Sequence, residues 1–387
     1  MTSPSVTTPS VTFASIAFTD LAGWGDDDHL AALKAFQISC PRLAAASKAG
    51  NKAGPTPAPP ELTIACDAAL KLSGKITRAA AKAFFEQHFV PQRVVHAAAQ
   101  GLLTGYYEPL IEGSRKREGR FQTPILRRPA DLVNLVDEAS RGAVGSKLTH
   151  ARKTAKGVVP FSTRAEIEAG ALAGQNHELL YLADAVDVFF LQIQGSGRVK
   201  LTDGHEIRVH YDGKNGHPYT SIGRYLIETK LLAADKVSMG ALARWLRADT
   251  ERARQVMQQN ASYVFFRELP GSAQGPLGVL DIPLTAGRSL AVDPGVHSLG
   301  LPVYVSAPTL THATNGRAFN RLMIAQDVGS AIRGPERGDI YFGSGDKAGR
   351  LAGVTKHPGH LFILRPRKPA DNLLTVSPNS DPKRARQ

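Results

Sequence analysis

The sequence predicts a mainly β protein with α elements. Glycine (36) and proline (25) are plentiful, and charged residues are only 21% of the 387-residue chain. That balance suits a turn-rich β or α+β protein better than a helical bundle. From SYVFFREL (262–269) to HLFILRP, short apolar runs alternate with proline and glycine turns, the spacing of a β-barrel. The first hundred residues instead carry helix start and stop signals. With 42% hydrophobic residues, a chain of this length can bury a core and build more than one domain.

Residues 1–18 are rich in Ser, Thr and Pro and are expected to be disordered. They lack a basic n-region and an apolar h-region, so they do not read as a signal peptide. Asp26-Asp27-Asp28 opens a helical pattern over HLAALKAFQISC, and AGNKAGPTPAPPE (49–61) is a loop. TRAAAKAFFEQHF (77–89) is a second helix, with Thr77 as cap and Pro91 beyond its end. GLLTGYYEPLIEGS reads as strand, turn, strand, and Thr163–Glu166 as a capping box before a short helix ending near Gly170. AVDVFFLQIQGSGRVKLTDGHEIRVHY (185–211) reads as three strands joined by a glycine turn and an Asp-Gly turn. Ser238 caps the helix GALARWLRADTERARQVMQQ, and the basic tail 369–387 is expected to be disordered. No apolar run approaches the ~18 residues of a membrane span.

The net charge of +13 favours an anionic partner: nucleic acid, acidic headgroups or an acidic glycan. No stripe of Lys and Arg interleaved with aromatics marks a nucleic-acid module, so nucleic acid is not expected. Cys40 and Cys66 form no C-x-x-C pair; they read either as one disulfide or as two buried thiols. His205, His210 and His217, with Asp203 and Asp212, match no zinc or calcium spacing, so no metal or cofactor is expected.

The chemistry concentrates in MIAQDVGSAIRGPERGDIYFGSGDKAG (323–349). RLMIAQ reads as a buried strand that delivers Asp327 to its end. VGSAIR then allows one helical turn, stopped by Gly334, for which Asp327 would be the N-cap. The functional alternative places Asp327 at the mouth of a groove where glycine lets backbone approach a bulky ligand. A carboxylic acid there suits glycosidic cleavage, which needs the leaving oxygen protonated. Asp339 reads as a turn acid or as a neighbour that raises the Asp327 pKa. Gly195-Ser196-Gly197 and Gly343-Ser344-Gly345 are tight turns able to expose backbone amides; neither is a nucleophile elbow or a dinucleotide fingerprint. Tyr106-Tyr107 is the best sugar-stacking candidate.

LTGYYEP, TRAEIEAGAL, VDVFFLQIQGSGRV, SYVFFRE, GVLDIPLTAGRSLAVDP and AQDVGSAIRGPERGDIYFGSGDKAG occur in this order. Together they resemble the membrane-bound lytic murein transglycosylase A family, from about residue 20 to about 368. The resemblance implies a double-psi β-barrel from residues 19–110 and 261–368, with a 3D segment at about 275–368. It implies a smaller β-barrel inserted at 111–260, and a deep groove between the two. It further implies cleavage of peptidoglycan between N-acetylmuramic acid and N-acetylglucosamine without water, leaving 1,6-anhydromuramoyl ends. Asp327 falls on the family's catalytic acid, and Asp339 and Asp293 on supporting acids. Thr104, Tyr106, Gln194, Ser196, Gly197, Tyr263, Gly343, Ser344 and Gly345 fall on groove-lining motifs. The implied partner is the glycan strand, acted on by a monomer in the periplasm or at the outer membrane, with a cell-wall synthesis or hydrolase complex as a further partner. That compartment favours a Cys40–Cys66 disulfide. The alternatives are a glycan hydrolase using Asp327 and Asp339 as a pair, and a non-catalytic wall-binding module.

Overall fold

The computed structural model describes residues 11–48, 57–72, 74–97, 100–135, 148–270 and 275–368. Residues 1–10, most of the loop at 49–56 and the tail at 369–387 lie outside the described residues, as do the expectations made for them. The strands are β1 (Thr12–Ser15), β2 (Phe89–Val95), β3 (Gly101–Glu108), β4 (Leu110–Ser114), β5 (Thr123–Leu126), β6 (Leu132–Asn134), β7 (His150–Thr154), β8 (Gly157–Val159) and β9 (Glu178–Leu182). They continue with β10 (Ser196–Leu201), β11 (Glu206–Lys214), β12 (Val264–Leu269), β13 (Ser289–Val292), β14 (Pro302–Ala307), β15 (Phe319–Val328), β16 (Arg337–Ser344) and β17 (Lys356–Pro366).

Six strands close into a barrel in the order β17-β14-β15-β13-β16-β3, with β3 pairing back onto β17. This is the double-psi barrel side of the expected fold, and β2 and β1 extend its sheet from β17. Thr12–Ser15 therefore contradicts the disorder expected through residue 18: its backbone is paired with Gln92–Val95, which satisfies its polar groups despite the polar sequence. Inside the barrel, Leu103, Leu290, Leu322, Ile324, Ile340 and Leu361 are fully buried.

Three helices cover one side: α1 (His29–Lys48), α2 (Pro60–Lys71) and α3 (Arg78–His88). Asp28 and Thr77 cap α1 and α3 as their sequence implies, accepting from Ala31 N and Ala80 N. Phe36, Phe84, Phe85 and Phe89 form one aromatic cluster against the barrel. Cys40 and Cys66 are disulfide-bonded, joining α1 to α2.

A second sheet runs β12-β11-β10-β4-β9-β5, with a three-stranded sheet β6-β7-β8 beside it. Its edge strands β5 and β12 pack together through Leu126 and Phe265. Because β12 pairs with β11, this sheet runs to residue 269 rather than ending at 260. Its main helix corrects the sequence reading. Residues Ala185–Gln194, expected as a strand, form helix α4. Asp184 caps it by accepting from Val186 N, and Gly195 ends it at φ 77°, the left-handed conformation that favours glycine. A short apolar run fits a buried strand or a buried helix equally well, and here the cap and the terminating glycine decide. Helices α5 (Ile222–Glu228), α6 (Met239–Arg247) and α7 (Thr250–Met257) follow, and α8 (Gly345–Val354) returns to the barrel. Ser238 caps α6, but Asp249 starts a new cap, so the expected single helix is two.

Candidate active site

A groove of about 600 Å³ lies between the barrel and the second sheet. Its barrel wall is built by register. Asp327 on β15 and Asp339 on β16 both lie opposite Ala291 of the intervening β13. Their backbones are thus two strand spacings apart, roughly 10 Å. Beyond β16, parallel pairing sets Thr104 beside Asp339 and Tyr106 beside Tyr341. The two-residue period of β3 then decides the faces: Leu103 goes to the core, while Thr104 and Tyr106 reach the groove.

Asp327 ends its strand in the groove and is not a helix N-cap; residues 329–334 form turns, with Ile332 N bonding Gly329 O. Tyr106 Oη donates to Asp327 Oδ2 at 2.8 Å, and Val328 N donates to Oδ1 at 2.9 Å. Burial pushes the Asp327 carboxyl up to about 6, partly opposed by the Tyr106 bond and by backbone bonds from Val328 and Val279; Asp339 adds a smaller upward push. The Val279 segment comes this close because Gly278 has no side chain: a Cβ there would lie 2.3 Å from Gln326 O. Asp339 is also raised by burial, while Thr104 Oγ1 donates to its Oδ1 and Arg337 lies near enough to hold it down. Arg337 Nη2 in turn donates to Thr104 Oγ1 at 2.8 Å.

The neighbour of Asp327 in sequence fixes its strand. Gln326 is fully buried; it accepts from Ser289 Oγ and donates to Ala35 O and Ser39 Oγ, both at 2.9 Å. One amide thus ties β15 to β13 and to α1, which limits the play available to the adjacent acid. Nothing in the pattern distinguished this glutamine, because its role depends on which helix covers the barrel.

Among the expected residues, Asp327, Asp339, Thr104, Tyr106, Gln194 and Ser196 line the groove. Gln194 also accepts from Tyr107 N at 3.0 Å, linking α4 to β3. The others lie elsewhere. Gly197 is a packing position, where a Cβ would come within 2.5 Å of Leu191 Cδ1. Tyr263 is buried with Leu126, Phe161 and Phe265 and lies under the Arg164 guanidinium. Asp293 accepts from Gly295 N and Gly334 N and so anchors the loop that follows Asp327. Gly343, Ser344 and Gly345 lead into α8, with Ser344 Oγ donating to Glu108. Tyr107 turns away from Tyr106 and packs at Gly349. The sequence reading missed the groove's cations, Lys214, Arg333, Arg337 and Arg164, because they come from three separated segments and form no local motif.

Comparison with known proteins agrees with this architecture. Residues 102–267 match the MltA specific insert domain, and 288–365 match the 3D domain. Over 276 residues the chain is 35% identical to membrane-bound lytic murein transglycosylase A of Escherichia coli (strain K12), covering 70% of this chain and 67% of that protein. The crystal structure of a membrane-bound lytic murein transglycosylase from Agrobacterium tumefaciens superposes with a TM-score of 0.84 at 35% identity, over 93% of this chain and 99% of that one. E. coli MltA with bound chitohexaose superposes with a TM-score of 0.63 at 29% identity, over 94% of each chain. The chain belongs to the membrane-bound lytic murein transglycosylase A family.

Proposed function

We propose that the protein is a peptidoglycan lytic transglycosylase in which Asp327 acts first as acid and then as base. Protonated Asp327 gives its proton to the glycosidic oxygen as the bond to the muramoyl C1 breaks. The carboxylate then takes the proton of the C6 hydroxyl of the same ring, whose oxygen bonds to C1 and closes the 1,6-anhydro ring. Water takes no part, and the carboxyl ends as it began. The observation that carries this reading is a single groove carboxyl raised to about 6 with no ion-pair partner among the described residues. A carboxyl at that value can be held in either form near neutrality, as the two roles require. The tethered nucleophile removes the need for a water-activating partner, since intramolecular attack can lower a barrier by about 7–11 kcal/mol. Tyr106 Oη stabilises the carboxylate formed between the steps. The family's name and the chitohexaose held by the E. coli relative support a β-1,4 glycan as ligand. A periplasmic site at the outer membrane follows from that substrate; among the described residues no helix is long and apolar enough to cross a membrane.

One observation favours a second reading. The roughly 10 Å between the Asp327 and Asp339 backbones admits the carboxyl separation of about 6.5–9.5 Å used by inverting hydrolases. Digestion of purified peptidoglycan in heavy-oxygen water decides between them. Transglycosylation yields muropeptides one water lighter and unlabelled, whereas labelled reducing ends would establish hydrolysis.

A further inference from the structure

The groove holds two acids but four cations, and the cations are not equally satisfied. Arg164 is buried and paired with Glu168 at 3.2 Å. Arg337 is spent on Thr104 Oγ1 and on the carbonyls of Leu102 and Gly338. Arg333, on the loop after Asp327, lies 3.6 Å from Asp293 Oδ1, and its Nη1 bonds the Ile332 carbonyl. Lys214, at the end of β11, differs from all three. It reaches from the second sheet to the barrel loop and donates to Ser330 Oγ at 3.0 Å. Among the described residues it has no carboxylate partner.

A partly buried ammonium with three donors, one used on a neutral hydroxyl, leaves charge and hydrogen-bonding capacity uncompensated. Burial and the nearby Arg333 both push the Lys214 pKa down, the cost expected of a partly buried cation beside a second one. Lys214 and Arg333 come from opposite walls, and both line the groove that contains Asp327. An anion seated between them would gain charge-assisted bonds from both walls.

We propose that Lys214 and Arg333 form a carboxylate clamp that recognises the acidic groups carried by the glycan strand. This rests on the peptidoglycan reading above and adds a specificity determinant to it. The carboxylate has two sources: the stem peptide, or the lactyl group of a strand from which the peptide has been removed. Asp293 acts as a positioning residue, since its bonds to Gly295 N and Gly334 N hold the loop that carries Arg333.

Binding to the non-cleaving Asp327→Asn protein tests the clamp without turnover. Three preparations are compared: stem-bearing strands, strands stripped by an amidase to free lactyl groups, and stem-bearing strands whose carboxylates have been converted to amides. Adding Lys214→Met should weaken binding to one of the carboxylate-bearing preparations about tenfold more than to the amidated one, the size of one lost charge-assisted bond. The preparation that loses more identifies the source. Lys214→Arg, which keeps the charge, should recover most of the loss, and Arg333→Gln should reproduce part of it. Equal weakening on all three preparations, or none on any, overturns the clamp and leaves Lys214 as a structural bridge to Ser330. Failure of the unmutated protein to cut any glycan would instead sink the proposed function, so the two ideas fail separately.

Discussion

Two buried carboxyls in this protein show how surroundings divide structure from chemistry. At the junction of β3 and β4, Glu108 is fully buried, accepts from Arg208 and Ser344, and has Arg198 3.6 Å away. Those arginines belong to β10 and β11, while Ser344 belongs to the barrel, so this carboxylate fastens the two sheets together. In the groove, Asp327 has a phenol and backbone amides as partners, with no cation paired to it among the described residues. A carboxylate paired with two arginines serves as a strut. An unpaired one in a desolvated site is poised to exchange a proton. Burial alone therefore does not mark a reactive acid; the absence of a counterion does.

The largest effect should come from the groove. Asp327→Asn should lower glycan cleavage by about 10²–10⁴-fold, the range for loss of a general acid, while thermal melting shows an intact fold. Cleavage at the native rate would remove the basis of the comparison. The same variant should melt higher than the native protein above pH 6. A raised folded pKa means that the ionised form costs stability, so the native protein loses stability as pH rises through about 6 and the amide does not. Below about pH 4 the two should converge.

Glu108→Ala attacks the other side. It strands Arg208 and Arg198 without their shared anion and should cost about 3–5 kcal/mol of stability in denaturant unfolding. A loss below 1 kcal/mol would show that the junction is not held by this charge. Reduction of the Cys40–Cys66 disulfide, which spans 26 residues, should cost about 3 kcal/mol. It supplies a control, because neither cysteine lines the groove, and it should leave the pH profile of cleavage unmoved.

The pH profile sharpens the comparison further. kcat/KM should fall about tenfold per unit above pH 6, because the proposed mechanism needs protonated Asp327 in the free protein. Tyr106→Phe removes a bond that favours the carboxylate, so the limb should move to higher pH while kcat drops about tenfold. A limb that moves down, or does not move, would show that Tyr106 does not set the proton affinity of Asp327.

Much of the site was legible from residue order. Asp327 is found where a buried apolar run stops at an acid and glycines follow, because that pattern needs only local information. The same held for the caps at Thr77, Thr163 and Ser238, each a side chain reading its own backbone. Ala185–Gln194 was misread because its residues satisfy a buried strand as well as a buried helix. Lys214 and Gln326 were invisible for a different reason: their partners, Ser330 and Ala35, lie 116 and 291 residues away.

The chain by itself determined the turn-rich β character, the helix caps, and an acid at the end of an apolar strand, since each depends on propensities and contacts within a few residues. Only the tertiary structure decided which residues share the groove, which carboxyl carries a counterion, and which cation lacks one. Those properties depend on distances across strands and between sheets, where desolvation and Coulomb forces act on groups that the linear order keeps far apart.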